Sequence, residues 1–148
     1  MTSLGFEDSL NPYEVTPADI ACVLKGGAFV TEKNVFDRVV TNIQDGSVIG
    51  YKYYDFGDDF GSKTMEFSAK ILGMGCDAVM HILIDGEDGE EIGCCRIGHD
   101  SAVIHTIVKN VTGRHAVFFK ITTEYVGWMG EMFRGRNLFE LCSFVFLK

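Results

Sequence analysis

The chain has 148 residues, 47% of them hydrophobic and 23% charged, with 13 Lys and Arg against 21 Asp and Glu for a net charge of −8. That is the length of one domain, able to remove roughly 70% of its unfolded surface from water and so to fold without disulfides or metal. The composition excludes a disordered chain, the short apolar runs exclude a membrane-spanning helix, and the absence of a Lys/Arg cluster argues against a nucleic-acid partner.

Residues 1–10 read as an N-terminal extension or linker and carry neither the basic nor the apolar region of a secretory signal. Residues 11–148 read as one domain. Thr16-Pro17 through Gly26 has a capping Thr, Pro at the first helical position and Gly at the end, which predicts a short helix. Val39–Ile43, the turn Gln44-Asp45-Gly46 and Ser47–Tyr54 read as strand, turn, strand. Thr64–Ile71 alternates strictly: Met65, Phe67, Ala69 and Ile71 share one face, and Thr64, Glu66, Ser68 and Lys70 share the other. Val79–Ile84 and Glu91–Ile97 flank two turn signals, Asp85-Gly86 and Asp88-Gly89, and form a predicted hairpin. Val103–Val108 and His115–Ile121 are further strands. Thr123–Asn137 is a long loop containing Gly127, Gly130 and Gly135 among Tyr125, Trp128, Met129, Met132 and Phe133. Such an apolar loop is either packed under a sheet or part of a binding surface. Leu138–Leu147 is apolar on both faces, so it is expected in the middle of a sheet.

Strands recurring about every dozen residues, with Gly, Asp or Asn between them, predict an all-β fold, an antiparallel sandwich or barrel. Phe67, Ile82, Val117, Phe119 and Phe144 are the expected inward residues.

Chemical motifs are few. Cys22, Cys76, Cys94, Cys95 and Cys142 contain no C-x-x-C pair, so neither a zinc ribbon nor a thioredoxin-like site is expected. Most should be small buried hydrophobes, and the odd count leans toward a reducing, cytoplasmic compartment. Gly73–Ala78 matches a dinucleotide fingerprint formally, but a strand follows where the fingerprint needs a helix. His81, His99, His105 and His115 lack short metal-ligand spacing, and His81 and His105, which alternate with apolar residues on strands, read as solvent-facing or hydrogen-bonded. Asp85, Glu87, Asp88, Glu90 and Glu91 read as a solvated hairpin end, since Gly86 and Glu87 break the calcium-loop pattern.

Several stretches together carry a resemblance. They are Asn11-Pro12-Tyr13, Val39–Ile49, Asp55-Phe56-Gly57 with Ser68-Ala69-Lys70, Ile82–Asp85 with Asp88-Gly89 and Ile92-Gly93, Val111–Phe119, and Leu138–Leu141. In this order and spacing, from Asn11 to Phe146, the chain resembles family 6 carbohydrate-binding modules, in the form found C-terminal to family 43 glycoside hydrolases. The resemblance implies a β-sandwich jelly roll that is not an enzyme and binds plant or algal polysaccharide. Its implied partners are carbohydrate and a glycoside hydrolase catalytic domain; that no membrane partner is expected rests on the short apolar runs.

The departures bear on the site. In the family, two facing aromatic rings and an Asn hold sugar at one end of the sandwich, because apolar sugar faces stack on rings while a few polar groups fix orientation. The first ring position falls on Val39, the second near Ser101, and the Asn on Glu140. None matches, which implies a cleft lost or rebuilt. The family's calcium ligands fall on Pro17-Ala18-Asp19 and Cys142, leaving only Asp19. Calcium takes six or more oxygens, so no tightly held calcium and no other cofactor is expected. The family also implies extended chain near Ala18-Asp19, and one helical turn after Asp19 reconciles this with the helix signals.

The expected ligand-binding residues are Trp128, Tyr125 and Arg134 in the long loop and Glu140 beside it. Trp128 would stack on sugar or cap the old cleft, with Glu140 as the polar partner, since a carboxylate can accept from two hydroxyls. The alternative is a structural accessory domain that packs against a family 43-type hydrolase domain without binding sugar, its Trp128 burying the loop.

Overall fold

The computed structural model describes residues 11–21, 23–32, 38–57, 63–73, 76–98, 100, 102–123, 128 and 137–147. Among them run eleven strands: β1 (Thr16–Pro17), β2 (Val23–Lys25), β3 (Phe29–Glu32), β4 (Arg38–Thr41), β5 (Val48–Asp55), β6 (Thr64–Gly73), β7 (Ala78–Ile84), β8 (Glu90–Ile97), β9 (Ala102–Lys109), β10 (Arg114–Thr122) and β11 (Phe139–Leu147). They form two antiparallel sheets. The first runs β3-β4-β11-β6-β9, with β1 also paired to β11; the second runs β2-β5-β10-β7-β8. The fold is an antiparallel β-sandwich. No helix among the described residues is long and apolar enough to cross a membrane.

The core lies between the sheets and is aromatic. All five residues expected to point inward are at most 1% exposed. Phe144 on β11 meets Tyr51 of β5 at 4.8 Å between ring centroids and Phe119 of β10 at 4.9 Å, both edge-on. Edge-to-face contacts set the positive ring edge against the negative ring face. The Tyr51 hydroxyl donates to the Ala18 carbonyl at 2.8 Å, so its burial leaves no orphan.

β11 is central, as its two-sided apolar pattern predicts: it pairs with β6 along one edge and with β4 and β1 along the other. Its inward residues are Phe139, Leu141, Phe144 and Phe146, and the switch from odd to even positions coincides with a register shift between Leu141 and Ser143. One extra residue in a strand restores the buried face on both sides of the irregularity.

In place of a helix over Thr16–Gly26 stand β1, a single 3₁₀ turn at Ala18–Ile20 and β2, close to the extended chain with one helical turn expected after Asp19, although the turn includes Asp19 and does not follow it. The capping signals act over one turn only. Thr16 then pairs with Phe144, and Val23 with Gly50, so sheet pairing outweighs a local helical preference. The turn after Val39–Ile43 joins no hairpin, because β4 lies in the first sheet and β5 in the second.

The β7–β8 hairpin forms as expected, with a register shift between Ile82 and Leu83: Ile82 pairs with Gly93, and Leu83 with Glu91. Gly93 faces β9 across the edge of the sandwich. A Cβ there would lie 2.6 Å from Val108 Cγ1, so only glycine lets the two strands approach. The acidic hairpin end is paired rather than merely solvated: Glu87 meets Lys25 at 2.9 Å, Glu90 meets Lys109, and Asp85 meets His115 at 3.0 Å.

Candidate functional site

The long loop between β10 and β11 is fastened at both ends to the β4–β5 connection. On entry, the Thr123 amide donates to Asp45 Oδ1 at 3.1 Å. On exit, the Asn137 side chain accepts from the Ile43 amide at 2.9 Å and donates to Thr41 Oγ1 at 3.1 Å. The Leu138 amide adds a bond to the Ile43 carbonyl at 2.7 Å. Thr41 Oγ1 in turn donates to Glu140 Oε2. The chain Asn137–Thr41–Glu140 is thus a directed hydrogen-bond relay, in which a hydroxyl both accepts and donates. Asp45, Asn137 and Thr41 were not singled out in the sequence. The only signal was an Asp in the turn and an Asn at the loop's end, and neither shows that they would meet across about 80–100 residues of chain.

Trp128 is 73% exposed. Glu140 is 4% exposed, and its Oε2 accepts from Thr41. Val39, at the family's first ring position, is 1% exposed and offers no face to solvent. Tyr125, Arg134 and Ser101 lie outside the described residues, as does the 1–10 extension. Asp19 sits in the 3₁₀ turn, and its side chain is outside the described set.

A second polar feature occupies the outer face of the other sheet. A shallow groove of about 380 Å³ is lined by His81, Leu83, Glu87, Asp88, Glu91, Lys120 and Thr122, among others. His81 Nε2 lies 2.9 Å from Thr122 Oγ1, and Nδ1 lies 3.0 Å from Glu91 Oε1. Cys94 is exposed beside them, opposite His81 in the strand register, whereas Cys95 points inward. Burial, and secondarily the neighbouring Cys94, pushes the Cys95 thiol up to about 12.

No family model matches the sequence, and no curated protein matches it. Solved structures do match. A family 6 carbohydrate-binding module from Clostridium cellulolyticum, solved with xylose, is 21% identical with a TM-score of 0.76, over 94% of this chain and 100% of that one. The fold is that of the family 6 carbohydrate-binding modules. A β-1,3-glucan-binding family 6 module from Bacillus halodurans is 15% identical with a TM-score of 0.76, over 95% of this chain and 100% of that one. The glycoside hydrolase family 43 arabinoxylan arabinofuranohydrolase from Bacillus subtilis, solved with cellotetraose, is 25% identical with a TM-score of 0.75 over 95% of this chain. The chain spans only 28% of that enzyme's length, so the likeness is to one part of it.

Proposed function

We propose that this chain is a non-catalytic carbohydrate-binding module whose sugar site is rebuilt on the β10–β11 loop. The observation that carries the reading is the 73% exposure of Trp128 on a loop fastened at both ends. An indole that served only to bury the loop would be covered. An exposed one gives a flat apolar face on which a sugar ring can stack. Tyr125 and Arg134 share the loop and supply a second ring and a donor to hydroxyls. Glu140 acts from below: with 4% exposure it holds Thr41, and through Thr41 it holds Asn137 at the loop's exit. The likeness to one part of a family 43 enzyme supports a glycoside hydrolase catalytic domain as the natural partner. Asp19 is the one residue kept from the family's calcium set, and calcium is not required in this reading.

The test is calorimetric titration of the whole chain with xylo-, cello- and laminari-oligosaccharides, the classes suggested by the structural neighbours. Binding to at least one class is expected. Trp128→Ala should abolish it and leave the unfolding midpoint nearly unchanged. The structural accessory reading is favoured by buried Val39 in place of a platform ring. It predicts no binding to any class, or binding that Trp128→Ala does not alter, and either result overturns the proposal.

A further inference from the structure

Beside the outer groove, which His81 and Glu91 line, Cys94 completes a set of three donors that no short sequence motif contains. A His81 ring nitrogen, a Glu91 carboxylate oxygen and Cys94 Sγ all lie within 4.8 Å of one another, and Nδ1 is the nitrogen that faces Glu91. Strand geometry explains the meeting. His81 and Cys94 are direct cross-strand partners, so their side chains rise from the same face. The register shift beside Gly93 brings Glu91 next to them, and Val108 admits only glycine at that bend.

We propose that His81, Glu91 and Cys94 bind a borderline divalent cation of the zinc class. Nitrogen, carboxylate oxygen and thiolate form a ligand set suited to zinc. Tetrahedral zinc at ordinary bond lengths separates its donors by about 3.4–3.6 Å. The His–Glu pair, at 3.0 Å, opens by a few tenths of an ångström to admit the ion, and rotation of the exposed Cys94 side chain brings the sulfur in. Nδ1 is buried, and its contact with Glu91 lacks hydrogen-bond alignment. Nε2 lies 2.9 Å from Thr122 Oγ1, and in the tautomer that carries its proton on Nε2 it donates there and leaves the Nδ1 lone pair for the cluster. An outer hydrogen bond of this kind holds a ligating imidazole in the right tautomer and orientation. Glu87, Asp88 and Glu91 line the groove against one cation, Lys120, and an excess of carboxylate remains even with Lys25 paired to Glu87. On binding, the Cys94 S–H bond breaks, its proton passes to solvent, and the sulfur lone pair forms the metal–sulfur bond. No electron is transferred. A water molecule would complete the four donors. This site is independent of the sugar reading, and its test contains no glycan.

The experiment titrates the whole chain, reduced and freed of metal, with Co²⁺ alone as a spectroscopic stand-in for Zn²⁺. Tetrahedral d–d bands and a thiolate-to-metal charge-transfer band are expected, both displaced by Zn²⁺. Zn²⁺ should also raise the melting temperature by mass action. Cys94→Ser should remove the charge-transfer band, and Glu91→Gln should weaken binding at least tenfold. Thr122→Val should lower affinity about 10–100-fold through loss of the imidazole's anchor. All three positions are on the outer face, and a far-ultraviolet spectrum checks that each variant is folded. Absence of the charge-transfer band, or its survival in Cys94→Ser, overturns the site. Unchanged affinity in Thr122→Val overturns the anchoring of His81.

Discussion

Gly93→Ala probes the contact that joins the two sheets at the β8–β9 edge and also sets the bend beside Glu91. The new methyl would come 2.6 Å from Val108 Cγ1, 3.2 Å from its Cβ and 3.3 Å from its Cα. Carbon atoms pack best at about 3.5–4.0 Å, so β8 and β9 must part by close to an ångström or Val108 must leave its rotamer. Val108 is 1% exposed and has little room to turn. Overpacking of this kind costs roughly 1–3 kcal/mol. Val108→Ala alone removes two buried methyl groups and should cost roughly 1.5–3 kcal/mol with its cavity. In the double variant the methyl introduced by Gly93→Ala enters the vacated space. The two costs should therefore fail to add, by at least about 1 kcal/mol. Urea denaturation of the four proteins gives the coupling directly from the midpoints, provided the slopes agree. Additivity within about 0.5 kcal/mol would show that Gly93 is not held by Val108, and the account of the bend would fall with it.

Phe144→Ala removes the ring at the centre of the aromatic core and should cost about 4–5 kcal/mol, the upper part of the range for Phe→Ala, measurable as a fall in urea midpoint. Thr41→Val takes one donor from a buried carboxylate and frees Asn137, so a loss of about 1–3 kcal/mol is expected, together with faster proteolysis of the β10–β11 loop. Brief alkylation at about pH 8, near the ordinary thiol pKa, followed by mass spectrometry should label Cys94 while Cys95 and Cys76 stay protected until denaturant is added; prompt labelling of Cys95 would contradict its burial. Tyr13 donates to the Phe56 carbonyl at 2.7 Å, and burial, then Asp55, raises its phenol above the ordinary 10.0. The folded state therefore favours the neutral phenol. That stabilisation is complete below pH 10.0 and is lost as pH rises through the folded value, a loss that Tyr13→Phe should remove from the alkaline stability profile.

The strands were legible because a half-buried strand writes its two faces into alternate residues. Met65, Phe67, Ala69 and Ile71 declare β6 without any knowledge of what covers them, and the two-sided apolar run of β11 announces a central strand. Sheet membership was not legible. Alternation says which face is buried but not which neighbour pairs, and β4 and β5, one short turn apart, go to different sheets. The helical signals at Thr16-Pro17 were real but local, and they yielded to pairing with β11 and β5 on either side of one 3₁₀ turn. At the candidate sugar site, Trp128 was marked by its residue type in a long loop, and Glu140 by falling where the resembled family has its Asn. Their exposures were not legible, since burial depends on what else packs there: one side chain stands in solvent and the other lies beneath Thr41. The metal-ligand set lay further from view. Histidine spacing along the chain argued against a metal site, yet His81, Glu91 and Cys94 meet because a hairpin register sets distant residues side by side. That register turns on Gly93, whose necessity comes from Val108 on a strand of the opposite sheet.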